Sequence, residues 1–168
     1  ALKWFIRAAE QDSAEAQHNL SLMYQSGHGV DQNYQKSAEW SKKAAEQGLM
    51  LAQLSLGVKY LTGQGVGRDI EAGIHWLTKS AGQGSTDSML YLGILYADPQ
   101  YGRQDFVEAY KWFFLASAHG VKIEKYKSYF ENQITAEQVD LSIQKALELL
   151  IAKNQAQKEN DAAAATKQ

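Results

Sequence analysis

Four tryptophans, Trp4, Trp40, Trp76 and Trp112, are the whole tryptophan content of this chain, and each lies 36 residues after the last. The same step carries Leu20 to Leu56 and Leu92, Tyr24 to Tyr60 and Tyr96, and Gly48 to Gly84 and Gly120. Gly27 and Gly63, Gly29 and Gly65, and Val30 and Val66 keep it too. A fixed period of this length means stacked supersecondary units that bury a core along one dimension. The functional question then concerns a surface before it concerns a cleft with catalytic groups.

One unit, Ser13 to Gly48, shows what repeats. Its first half places Ala16, Leu20, Met23 and Tyr24 at helical spacing, with no glycine or proline between them. A polar turn follows, Gly27 to Asn33, built of residues that tolerate unusual backbone angles. The second half returns to helical spacing through Tyr34, Ala38, Trp40, Ala44 and Ala45. Gly48 stops it, where a left-handed residue closes the last carbonyls at no Cβ cost. The expectation is helix, turn, helix and a glycine reversal. Ala8-Ala9, Ala44-Ala45, Ser80-Ala81 and Ala116-Ser117 recur after the tryptophans. Small side chains there let helices approach while tryptophan and tyrosine fill the wider gaps.

The pattern predicts an all-α fold: a right-handed superhelical solenoid of antiparallel helix pairs in 36-residue repeats, closed by a C-terminal capping helix. Residues 1–12 read as the second half of a truncated repeat; 13–48, 49–84 and 85–120 as full repeats; 121–155 as capping helices; and 156–168 as a frayed or disordered tail. In the third repeat Pro99 stands where Gly27 and Gly63 stood, so its turn is expected to differ. After Gly120 the consensus is replaced by Lys122, Lys125 and Lys127 among Tyr126, Tyr129 and Phe130. Cap packing is the reading preferred for these aromatics over a surface patch. Thr135 and Gln138 have capping-box spacing and open the last helix. The start at Ala1, inside a helical pattern, reads as a fragment or a processed product, with any targeting signal upstream.

The run Ala52-x3-Leu56-Gly57-x2-Tyr60-x2-Gly63-x-Gly65-Val66-x2-Asp69-x2-Ala72-x3-Trp76-x4-Ala81-x2-Gly84 resembles the Sel-one-like repeat, of the tetratricopeptide class. The resemblance covers roughly residues 1 to 120. The first full repeat departs at Ser21, where the family prefers glycine, and the third through its Pro99 turn. It implies an adaptor or scaffold that assembles complexes, bacterial and often exported or envelope-associated. A link of cysteine-rich members to β-lactams does not carry over to a chain without cysteine.

Seventeen Lys and Arg against nineteen Asp and Glu, scattered along the chain, give no footprint for nucleic acid. Absent cysteine excludes disulfides, thiolate metal sites and cysteine nucleophiles. No apolar run is long enough to span a membrane as a helix. Gly63-Gln-Gly-Val-Gly67 mimics a phosphate loop, but it joins two helices and recurs at Gly27, so a structural turn is the better reading. His18, His28, His75 and His119 have no metal-ligand spacing, and no nucleophile–base pair follows from spacing. No catalytic residue, metal or cofactor is expected.

The tetratricopeptide resemblance puts the first helix of each repeat on the concave face, at positions 15, 18, 22, 25 and 26 and their 36-residue successors. Leu22, Leu51, Leu54, Val58, Leu61, Leu90 and Ile94 fall there, and the consensus requires none of these last five. This stripe suggests a protein or peptide segment docking on it. Tighter winding, burying some of these residues between first helices, is equally open. The function expected is a non-catalytic protein–protein interaction scaffold or adaptor. A binding module for an envelope polysaccharide or peptidoglycan fragment is the alternative, which would call for exposed aromatics beside Asn, Asp or Gln. The stripe contains no aromatic residue.

Overall fold

The computed structural model describes residues 2–124, 126, 130 and 132–165. Among them are eight α-helices and no strand. They are α1 (Leu2–Glu10), α2 (Ala14–Ser26), α3 (Tyr34–Glu46), α4 (Met50–Thr62), α5 (Ile70–Gly82), α6 (Thr86–Ala97), α7 (Phe106–Ala118) and α8 (Ala136–Ala165). The chain divides after Ser88 into two compact units.

In the first unit consecutive helices pack in order: α1 on α2, α2 on α3, α3 on α4 and α4 on α5. Hydrogen bonds repeat with the period of the sequence. Asn33 and Asp69 cap α3 and α5, each accepting from the amide three residues on. Their own amides donate to Tyr24 and Tyr60 carbonyls, which fixes the width of each turn. The amides of Gly27 and His28 both donate to the Met23 carbonyl, and those of Gly63 and Gln64 to the Lys59 carbonyl. Helix ends otherwise leave such carbonyls unsatisfied.

The reversals take positive φ at Gly48, Gly84 and Gly120, with values of 91°, 105° and 86°. Asp12 occupies the same register position with φ of 62°, where a side chain is strained. Its carboxylate accepts from Gln17 Nε2 at 3.3 Å, a local bond of the sort that lets Asp adopt this conformation. The glycine register alone did not reveal Asp12 as a reversal.

A glutamine ladder, anchored on buried Gln17 and Gln53, ties successive pairs together. Gln17 and Gln53 donate to the Ala9 and Ala45 carbonyls at 3.1 and 3.2 Å. Gln47 and Gln83 donate in turn to Gln17 Oε1 and Gln53 Oε1 at 2.8 and 2.7 Å. These glutamines keep the 36-residue step, so the ladder is carried by the sequence period alongside the apolar and glycine positions.

Tryptophan follows a rule of its own. Trp40 packs on Ala9, Ala16 and Leu20, and Trp76 on Ala44, Ala45, Ala52 and Leu56. Each therefore covers the apolar cluster made by the two helices before it. Both are half-buried, with Lys43 and Lys79 over their rings at 4.2 and 4.8 Å. Trp4 has no such cluster before it among the described residues and is 74% exposed.

In the second unit Ala97, Ala109, Tyr110, Phe113 and Phe130 form the core. Phe113 stacks on Tyr126 with ring centroids 4.4 Å apart, and Phe130 meets the edges of Phe106 and Tyr110. Cap packing thus accounts for Tyr126 and Phe130; Lys125, Lys127 and Tyr129 lie outside the described residues. Helix α8 packs on α7 and brings Val139 and Ile143 to this core. Thr135 and Gln138 form the reciprocal box, amide to Gln138 Oε1 at 2.9 Å and amide to Thr135 Oγ1 at 3.2 Å. The helix then continues to Ala165 with 151–164 exposed, longer than the 121–155 expected for the cap. Residues 166–168 lie outside the described part. The Pro99 turn is a short 3-10 segment, Pro99–Tyr101, capped by Asp98 and closed by left-handed Gly102.

Candidate docking face of the first helices

The first helices of the repeats are α2, α4 and α6, and the sequence places the stripe on them. In the first unit Leu22 is 43% and Leu51 50% exposed, while Leu54 and Val58 are half-buried. In the second unit Ile94 is 40% exposed, and Leu90 is half-buried against the aromatic core. Leu61 departs from the expectation: it is 7% exposed and is a packing residue. The cause is Gly73 on α5, where an added Cβ would lie 2.5 Å from Leu61 Cδ2. Absence of a side chain there lets Leu61 sink into the α4–α5 contact. Leu22, Leu51 and Ile94 are exposed, while Leu61 is buried against the second helix of its own repeat and not between first helices.

On α2 the polar members of the face are Glu15 and Ser26, both exposed, with His18 and Gln25 half-buried between them. His18 Nδ1 is buried and has no hydrogen-bond partner among the described residues. Desolvation, and then the charge of Lys59, hold the His18 pKa below its ordinary value. Lys59 itself is pushed down by desolvation. Among the described residues neither group is hydrogen-bonded to a carboxylate.

In the second unit one carboxylate is held by two lysines. Glu108 takes hydrogen bonds from Lys111 and from Lys145, the latter at 2.9 Å. Burial would raise its pKa, but these two hydrogen bonds and charges outweigh that and lower it. Lys145 is correspondingly raised, first by its hydrogen bond to Glu108. The trio joins α7 to α8 and is structural. Among the described residues no group of His, Asp and Glu could hold a metal ion, and no helix is long and apolar enough to cross a membrane.

Two clefts open beside these helices. One of about 350 Å³ in the second unit is lined by Ile94, Asp98, Pro99 and the Phe113–Tyr126–Phe130 aromatics. The other, about 450 Å³, lies between α1 and α2 and is lined by Trp4, Phe5, Glu15 and Asn19 among others. The sequence stripe touches the first cleft through Ile94, but the aromatic walls of both clefts come from second helices or from the terminal segment.

A family model described as the Sel1 repeat matches the chain over residues 1–13, 14–49, 51–85 and 86–121. The chain is 28% identical to the crystal structure of a Sel1 repeat protein from Oxalobacter formigenes, with a TM-score of 0.67. That match covers 71% of this chain and 49% of the other. It is 37% identical to c5321, a protective antigen present in uropathogenic Escherichia coli strains and displaying an SLR fold, again with a TM-score of 0.67. There the match covers 71% of this chain and 26% of the antigen. The chain thus spans about half and about a quarter of these two relatives. No curated protein matches it.

Proposed function

Because the chain belongs to the Sel1 repeat family, we propose that it is a non-catalytic scaffold whose first-helix face receives a segment of a partner protein. Sel1 repeats generally mediate protein–protein interaction, and the solved relatives are bacterial. The observation that carries the reading is the exposure of Leu22 and Leu51 on consecutive first helices. Large leucines left in water on consecutive first helices suit a helix or strand laid across them. Within the family reading the partner is met in the cell envelope or after export.

One place favours the polysaccharide alternative. The Trp4–Phe5 cleft sets exposed aromatics beside Glu15 and Asn19, the chemistry a sugar needs. Trp4, however, stands in register with Trp40 and Trp76, which cover the cluster before them. Its exposure follows from its place in the array, and the protein reading is preferred.

Leu22→Asp together with Leu51→Asp tests it. Both side chains meet water in the free protein, so helical content and melting temperature should stay nearly unchanged. Bound, each new carboxylate is buried unpaired, at a cost of several kcal/mol, so capture of partners by the immobilised protein should be lost. Capture that survives the double substitution removes this face from the function.

A further inference from the structure

The second unit has a helix face that its own packing does not use. Asp87, Tyr91, Ile94 and Asp98 stand at i, i+4, i+7 and i+11, so they share one side of α6. Asp98 follows the last helical residue, but its amide still donates to the Ile94 carbonyl, which keeps it in line. Tyr91 and Ile94 are 43% and 40% exposed; Asp87 is exposed and Asp98 half-buried. Two large side chains in water thus lie between two carboxylates. Among the described residues no cation pairs with either carboxylate.

The repeat does not call for this set. Tyr91 stands where the earlier repeats have Asn19 and Ser55, and Asp98 where they have Ser26 and Thr62. Those two hydroxyls bond back to the Leu22 and Val58 carbonyls. Asp98 instead accepts from the Gln100 amide at 2.9 Å, and its other oxygen from the neutral Gln100 side chain. Asn caps such a turn as well as Asp does, so capping accounts for the oxygen and not for the charge. The end of a helix also disfavours an anion and favours a cation. Beside Asp98 opens the cleft of about 350 Å³ walled by Phe113, Tyr126, Phe130 and Ile94. Among the described residues Asp98 is the only charged group lining it. A carboxylate set among aromatic rings suits a lysine, whose stem packs on the rings while its ammonium meets their faces and the acid.

We propose that this face of α6 docks a partner-protein segment that is apolar in its middle and basic at its ends, with one lysine entering the cleft. The proposal rests on the scaffold reading and supplies the chemistry of the occupant at the second unit. The lysine in the cleft reaches Asp98, the other basic end meets Asp87, and Tyr91 with Ile94 carries the apolar middle. From Asp87 to Asp98 the helix rises about 16 Å, the length of roughly five extended residues.

Three peptides test it: acetyl-Lys-Ala-Leu-Ala-Lys-amide, the same peptide with norleucine for both lysines, and the same with glutamate for both. They are titrated into the isotopically labelled chain while the Tyr91 ring and Ile94 methyl resonances are followed. The lysine peptide should move these resonances and bind roughly tenfold more tightly than the norleucine peptide, with glutamate the weakest. Asp98→Asn keeps the cap and should erase most of that preference while the chain melts like the parent. Asp98→Ser, which installs the residue of position 26, should act alike and decides the matter if the first variant melts lower. Equal affinity of the lysine and norleucine peptides, no binding by any of the three, or a lysine preference that survives both substitutions overturns the proposal. The Leu22→Asp, Leu51→Asp chain should bind the lysine peptide as the parent does, so this face and the first are judged separately. Loss of binding there would place the peptide on the first unit and overturn the proposal as well.

Discussion

Ser21, Gly57 and Gly93 hold one register position and answer three different neighbours. At Gly57 an added Cβ would lie 2.7 Å from Leu77 Cγ, and at Gly93 2.8 Å from Phe113 Cζ. In the first repeat the partner position is Ser41, whose Oγ lies 2.6 Å from Ser21 Oγ, with Ser37 Oγ at 3.2 Å. A hydroxyl cluster thus replaces the glycine-against-large-residue contact. The departure at Ser21 was legible in the sequence, but the compensation at Ser41 was not, because pairing across two helices leaves no mark on local periodicity. Ser41→Leu alone should overpack Ser21 and cost about 1–3 kcal/mol. Ser21→Gly with Ser41→Leu transplants the arrangement of the second repeat and should recover that loss or exceed it. Thermal melts of the two singles and the double decide this; additive losses would show that the two positions do not touch energetically.

At the scale of elements, α8 is where the sequence reading was half right. Thr135 and Gln138 announced its start, and an end unit must cover the last apolar surface. Its length was not legible, since the alanine-rich stretch after Lys153 has no apolar stripe and no stop signal to place its end. The structure separates two parts of the helix. Val139, Ser142, Ile143 and Ala146 turn to the core of the second unit, with Ser142 and Ala146 at 0% exposure. From Ile151 onward every described side chain is exposed. Deleting Thr135 to Gln168 should therefore uncover the Phe113 and Phe130 cluster and cause self-association, visible as a concentration-dependent mass in light scattering. Deleting Ala156 to Gln168 should leave mass and melting temperature as they were. A long deletion that stays monomeric and melts like the parent would end the capping role of α8. Leu61 teaches the same lesson within α4: helical spacing put it on the surface stripe, and a glycine on the facing helix drew it inward.

For the whole molecule, the charges differ between the two units in a way that pH can read. The first unit holds Lys59 and His18, both with pKa lowered, chiefly by desolvation. A cationic group whose folded pKa lies below its unfolded one binds more protons unfolded, so stability rises with pH through the gap between the two values. For His18 that gap lies below the ordinary histidine pKa, and for Lys59 below the ordinary lysine pKa. The second unit holds Glu108, lowered against burial by Lys111 and Lys145. Its contribution is present above the ordinary carboxylate pKa and is lost only as pH falls through the lowered folded value. Lys145 is raised by Glu108, so its contribution holds below the ordinary lysine pKa and fades above it; being 40% exposed, it contributes little after solvent screening. Mild acid, which protonates histidine but not Glu108, should therefore loosen the first unit before the second. Amide exchange measured at neutral and mildly acidic pH, with rates corrected for intrinsic exchange, should show protection falling in α2 and α4 while α7 and α8 hold. His18→Gln should flatten that difference, because it removes the group that must take up a proton. Protection lost first in α7 and α8, or a first unit indifferent to His18→Gln, would show that the buried cations do not set the acid response.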